Sequence, residues 1–283
     1  MPAPSQRHGA GSGAARMRLA SWNVNSLKVR LPHLLDWLKE AQPDLLGLQE
    51  TKTIDEKFPR EAIEAAGYHV AFAGQPTYNG VAVLAKADRF EPLQDWEVND
   101  PHFPDDQKRL LSVTAQPKDG GHALRFINAY MPNGSAVGSE KYSYKLAWLA
   151  ALRDRLSAEL SHHPRLALVG DFNIAPADAD VHDPAAWAGQ ILCSEPERSA
   201  LQDFVALGLH DSFRQIHPTA EAAFSWWDYR QAGFRRNLGL RIDLILVSDV
   251  LRSELKDAGI DKGPRKREQP SDHAPVWADL SHA

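Results

Sequence analysis

The sequence predicts a single α/β domain. Short apolar runs of strand length alternate with stretches of helical period, no linker-like segment divides them, and no short tandem repeat is present. At 283 residues the chain can bury one large core.

Taken in order, residues 1–16 are rich in Gly, Ala, Ser and Pro without periodicity and read as a disordered tail. Met17 is an alternative start, and residues 17–283 are the expected domain. Residues 19–24 read as a first strand. Leu31, Leu34, Leu35 and Leu38 follow the helix period, with Pro32 near the helix start and Pro43 beyond its end. Residues 44–49 form a second strand that closes on Glu50. Asn79-Gly80 is a turn signal ahead of a strand at 81–84. Residues 110–115 and 123–130 continue the sheet, with a hairpin turn at Asp119-Gly120-Gly121 between them. Leu149, Leu152, Leu156 and Leu160 make one stripe of a long helix. Four apolar residues, 166–169, then read as a buried strand that Gly170 lets turn sharply. A loop through Asp183-Pro184 leads to a helix around Leu201, Phe204 and Val205, stopped by Gly208. Residues 241–247 and 275–280 are the last two strands.

Composition narrows the function. Hydrophobic and charged fractions of 43% and 24% fit a soluble globular protein. No apolar run reaches membrane-spanning length, and the N-terminus lacks a signal peptide's apolar core. A lone cysteine, Cys193, cannot form an internal disulfide. These features point to a cytoplasmic protein with no membrane partner. The net charge of −5 argues against a protein that coats nucleic acid. It leaves room for a nuclease with local basic contacts and a metal.

The chemistry-bearing residues collect at strand ends. Asp171 and Asn173 sit two apart, so an extended backbone would point both the same way, able to hold water against a phosphate. An Asx-turn closing the strand explains the same pair. Asn23 and Asn25 close the first strand, where asparagine usually marks a turn. Glu50 closes an otherwise apolar strand and suits a hard divalent cation. Asp243 interrupts an apolar run, where an unpaired charge would cost about several kcal/mol. It therefore needs a metal, a histidine or one of the nearby arginines. Asp272-His273, just before the last strand, offers such a histidine, and a carboxylate on one imidazole nitrogen fixes its tautomer.

Five blocks together resemble the exonuclease III family: Ser-Trp-Asn-Val-Asn (21–25), Leu-Gln-Glu-Thr-Lys (48–52), Gly-Asp-Phe-Asn-Ile-Ala-Pro (170–176), Arg-Ile-Asp-Leu-Ile-Leu-Val (241–247) and Ser-Asp-His-Ala-Pro-Val (271–276). The resemblance implies a four-layer α/β sandwich of two packed sheets flanked by helices. It implies a Mg²⁺-dependent DNA-repair phosphodiesterase, with Mn²⁺ as the substitute, that cuts duplex DNA at abasic sites or processes its 3′ ends. It implies Glu50 as principal metal ligand with Asn23 and Asp272 in the same site, Tyr130 on the scissile phosphate, and Asp171 activating water. Asn173 would grip the phosphate, and Asp243 would orient His273. Asn133, Trp226 and Arg241 are the expected DNA contacts, and a monomer the expected state. The basic run at 262–267 offers further phosphate contacts, and a solvated surface loop explains it nearly as well. His182, in the loop after the Asp171 strand, is expected to restrict access for an internal abasic nucleotide; capping of its turn is the plainer alternative. The same elements occur in phosphatases of the superfamily, so a non-DNA phosphoester is the competing substrate. A non-catalytic DNA-binding scaffold would be expected to have lost carboxylates that this chain keeps.

Overall fold

In the computed structural model, residues 16–281 are described. The strands are β1 (Arg16–Asn23), β2 (Leu45–Gln49), β3 (Tyr68–Ala73), β4 (Val81–Lys86), β5 (Gln94–Val98), β6 (Leu110–Ala115) and β7 (Leu124–Tyr130). They continue as β8 (Leu166–Asp171), β9 (Leu209–Asp211), β10 (Trp226–Trp227), β11 (Gly239–Leu240), β12 (Asp243–Ser248), β13 (Leu255–Ile260) and β14 (Val276–Ser281). The helices are α1 (Leu27–Ala41), α2 (Arg60–Ala65), α3 (Glu140–His162), α4 (Pro184–Trp187), α5 (Glu195–Ala206), α6 (Ser212–Ile216) and α7 (Asp249–Glu254).

Two six-stranded sheets carry the architecture. One runs β13-β14-β1-β2-β4-β3 and the other β5-β6-β7-β8-β12-β9, with β10 and β11 forming a small ribbon. Period-2 alternation builds the layers. Along β8, Ala167 and Val169 enter the core between the sheets with Leu19, Val83 and Phe126, while Leu166 and Leu168 face outward onto Leu149, Leu152 and Phe204 of α3 and α5. On β1, Leu19 points inward, and Ala20 and Trp22 pack on Leu34, Trp37 and Leu38 of α1. The result is helix, sheet, sheet, helix: the expected four-layer sandwich.

Several local expectations change. Pro32 lies well inside α1 rather than near its start, since the helix begins at Leu27. Gly170 does not turn the chain; β8 runs on through Asp171, and a Cβ at Gly170 would sit 1.9 Å from the Ala129 carbonyl oxygen of β7. Close strand approach, not turning, requires the glycine. Arg16 opens β1 opposite Ser281, so it belongs to the sheet; the rest of the expected tail lies outside the described residues. The 183–184 loop holds the short α4, which Asp183 caps by accepting from the Ala186 N–H at 3.1 Å. Among the described residues, no helix is long and apolar enough to cross a membrane.

Candidate active site

Register creates the site. In the second sheet Tyr130 of β7 pairs with Asp171 of β8, and Asp171 pairs with Asp243 of β12. Three polar residues far apart in sequence thus form one row across three adjacent strands. In the first sheet, β1 and β2 run parallel and end together at Asn23 and Gln49, which delivers Glu50 beside Asn23. His273 arrives just before β14, whose pairing with β1 brings it to the same rim.

Asn23 joins the two sheets. Its Nδ2 donates to Glu50 Oε1 and to Asp171 Oδ2, both at 2.9 Å. The Asp243 Oδ2 accepts from His273 Nδ1 at 2.8 Å, which leaves His273 Nε2 facing Asp171 Oδ2 at 3.6 Å. Asp243 therefore takes a histidine partner rather than an arginine. Its other oxygen, Oδ1, is buried without a hydrogen bond.

The electrostatics follow from crowding. Burial pushes the Asp171 carboxyl up, and the Asp243 and Glu50 charges add to that against the opposing pull of His273, so it titrates at about 7. Burial alone would push His273 down; the facing carboxylates of Asp243, Asp171 and Asp272 outweigh it and push the imidazole up to about 10. Burial, with Glu50 and Asp171 nearby, holds the Tyr130 hydroxyl well above its ordinary range.

Asp171 and Asn173 do not share an extended backbone. Asn173 has φ 49° and its N–H donates to Asp171 Oδ1 at 3.0 Å, so the Asx-turn expectation is met, and both side chains still line the cleft. Asn173 Nδ2 donates to the Met131 carbonyl at 2.8 Å, and Asn133 Nδ2 reaches Asn173 Oδ1 at 3.4 Å.

Glu50, Asp171 and His273 offer ligand atoms that all lie within 4.8 Å of one another. The two carboxylates of this set, crowded with negative charge, suit a hard dication. Glu50 is central to it, as expected. Asn23 faces it with its amide N–H groups. Asp272 stands beside it, its two oxygens accepting from Asn25 Nδ2 at 3.1 Å and Trp226 Nε1 at 3.0 Å.

The cluster opens into a cleft of about 660 Å³ whose walls include Asn133, His182, Trp187, Leu192, Trp226, Leu238 and Ile242. His182 lines the cleft, its Nδ1 3.1 Å from the Gly239 carbonyl oxygen of β11 and its ring edge-on to Trp187; the bond reaches across to β11 rather than capping its own turn. The aromatic run divides, with Phe224 and Trp227 in a buried cluster and Trp226 in the cleft wall.

Arg241 corrects an expectation. It is 1% exposed, with Nε on Asp180 Oδ1 at 2.7 Å and its two terminal nitrogens on Asp211 at 3.0 and 2.6 Å, so it is walled off from any DNA surface. The basic run divides: Arg265 lies buried against Trp227 and Phe234, Lys262 and Lys266 are exposed, and Arg267 pairs with Asp36 at 2.6 Å at the surface. Arg109, unremarked in the sequence, stacks over the Tyr130 ring at 4.9 Å and donates to its carbonyl at 3.2 Å.

Known proteins share this fold. The chain is 40% identical to exodeoxyribonuclease III of Haemophilus influenzae over 93% of this chain and 100% of that one. The fold matches the 3′ phosphatase NExo from Neisseria, solved bound to product DNA hairpin, with TM-score 0.88, 45% identity, and coverage of 94% and 100% of the two chains. It also matches an AP endonuclease from Archaeoglobus fulgidus with TM-score 0.85 and 36% identity, again over 94% and 100%. Residues 20–273 match the endonuclease/exonuclease/phosphatase family. The chain therefore belongs to the endonuclease/exonuclease/phosphatase family, as one of its hydrolytic nucleases.

Proposed function

We propose that the chain is a Mg²⁺-dependent DNA-repair phosphodiesterase that works as a cytoplasmic monomer on duplex DNA, removing 3′-phosphates, trimming 3′ ends and cutting at abasic sites. The row Tyr130–Asp171–Asp243, closed by His273 and Glu50 at the floor of one cleft, carries this reading. A bound divalent cation at Glu50 would withdraw charge from the phosphate oxygens. Asp171, held by Asn23 and facing His273, takes the proton of the attacking water. His273 is protonated at neutral pH and donates through Nε2 to a phosphate oxygen, while Asp243 fixes its ring from the other side. The Tyr130 hydroxyl stays protonated and donates to the same phosphate, and the Asn173 side chain holds it in line for attack from the side of Asp171. The bond to the 3′ oxygen breaks and leaves a 3′-hydroxyl.

Specificity rests on the upper cleft. Trp226 lies against the sugar, and Asn133 reaches the phosphate on the flanking nucleotide. His182 is held by Gly239 and Trp187, so it narrows the way for an internal abasic sugar and slows cleavage there, whereas a terminal 3′ group passes it. The test uses end-labelled duplexes carrying a 3′-phosphate, a plain recessed 3′ end or an internal abasic analogue, with Mg²⁺ and with chelator. Mg²⁺-dependent 3′-phosphate release faster than internal cleavage is expected, and His182→Gly should gain internal cleavage without losing 3′ processing. Hydrolysis of non-DNA phosphoesters with no action on any duplex would overturn the reading. Efficient internal cleavage by the wild type, unchanged in His182→Gly, would reduce His182 to a turn residue.

A further inference from the structure

Lys145 is a buried cation that the reaction above does not use. It lies in α3, on the same stripe as Leu149, Leu152 and Leu156, and is 0% exposed. An ammonium has three N–H donors and no acceptor. All three are engaged: one on the Asn173 carbonyl at 2.6 Å, one on the Asn133 carbonyl at 3.2 Å, and one on Glu197 Oε1. The first carbonyl belongs to the loop after β8 and the second to the loop after β7. Glu197, equally buried at the start of α5, passes the contact on. Its Oε1 also accepts from the Leu192 N–H at 3.1 Å, and its Oε2 from the Ser194 N–H at 3.1 Å and the Ser194 hydroxyl at 2.6 Å. Leu192 is part of the cleft wall.

A second observation points the same way. Gly134 has φ +87°, and a Cβ there would meet Ile191 Cδ1 at 2.9 Å and Lys145 Cδ at 3.0 Å. The loop after β7 is thus pressed onto the Lys145 stem and the cleft wall together, and needs glycine to do so.

We propose that Lys145 and Glu197 are positioning residues that lock the phosphate-gripping loop of Asn173, the loop of Asn133 and the Leu192 wall into one geometry. The inference rests on the DNA phosphodiesterase reading above. The pair touches neither substrate nor metal cluster; it acts through the backbone on which the Asn173 and Asn133 side chains are mounted. Three loops that would otherwise move independently are referred to a single nitrogen at the back of the site. A displacement of about 1 Å in a group that holds a reacting phosphate can cost on the order of 100-fold in rate.

The experiment separates anchoring from folding. Lys145→Met keeps the stem and removes the donors; Lys145→Met with Glu197→Gln removes both charges and keeps one acceptor oxygen, for the Leu192 N–H or for the Ser194 N–H. Each full-length variant is compared with wild type for melting temperature and for single-turnover release of phosphate from a 3′-phosphate duplex with Mg²⁺. Lys145→Met is expected to lose roughly tenfold to 100-fold in the single-turnover rate at saturating DNA. The double variant should regain melting temperature while its rate stays low, because charge balance is restored and the anchor is not. Recovery of both quantities in the double variant overturns the proposal, as does a Lys145→Met rate that falls only with the unfolded fraction. Should Lys145→Met fail to fold, the double variant alone decides by the same criterion. Wild-type protein inert on every duplex would instead refute the phosphodiesterase reading, so the two failures are distinguishable.

Discussion

Arg241 and Asp243 are two residues apart on the same stretch of chain, both buried, and they do opposite things. The Arg241 guanidinium is surrounded by Asp180 and Asp211, and Arg214 adds a second cation on Asp180 at 2.7 Å. Every charge there has its counterpart. Around Asp243 the balance fails: one oxygen has no partner, His273 is pushed up to about 10, and Asp171 is pushed up to about 7. What separates them is satisfaction. A satisfied buried network holds parts together, whereas an unbalanced one keeps protons and ligand positions available for chemistry.

The largest test of that contrast breaks the unbalanced cluster. Asp243→Asn and His273→Asn should each lower single-turnover cleavage by roughly 10⁴-fold, the size seen when the carboxylate orienting a catalytic histidine is replaced. The double variant should be scarcely worse than either, since the two act as a unit. Independent, multiplicative losses would show that they do not. The rate is taken per folded molecule, because losing either partner of this buried pair also costs stability.

Arg241→Met should give the reverse pattern. Taking the cation from Asp211 and one of two from the buried Asp180 should cost about 3–5 kcal/mol of stability in urea titration. Turnover per folded molecule should remain. A variant that keeps its stability and instead loses DNA affinity would return Arg241 to the DNA interface.

Glu50→Gln keeps the shape and removes the ligand charge. The Mg²⁺ concentration for half-maximal rate should rise on the order of 10–100-fold. Unchanged metal dependence in this variant would remove Glu50 from the metal cluster.

The smallest effect is on stability against pH in metal-free protein. His273 titrates near 10 when folded against an ordinary 6.5, so its protonated form favours the folded state. That contribution is complete below about 6.5 and is lost as pH rises through about 10. The stability gap between wild type and His273→Asn, followed by urea titration from pH 6 to 10.5, should therefore narrow over this window. A gap that widens with pH would mean that His273 is buried neutral.

The sequence by itself determined the elements and the reactive residue types. Apolar runs of strand length at β2, β6 and β8 and the leucine stripe of α3 are local patterns, and burial selects for them residue by residue. Asn23, Glu50, Asp171, Asn173, Asp243 and His273 were legible as a set through the five blocks that resemble the family; position alone marked Glu50 and Asp243 and left the asparagines as turn residues. Lys145 carried the same kind of signal, a lysine on a leucine stripe, and was readable in principle. The tertiary structure decided who pairs with whom. That Asp243 takes His273 while Arg241 takes Asp180 and Asp211 depends on strand register and on loops 30 to 61 residues away, which no local pattern encodes. It also decided that Gly170 serves close approach rather than a turn, because the carbonyl it must clear belongs to a different strand.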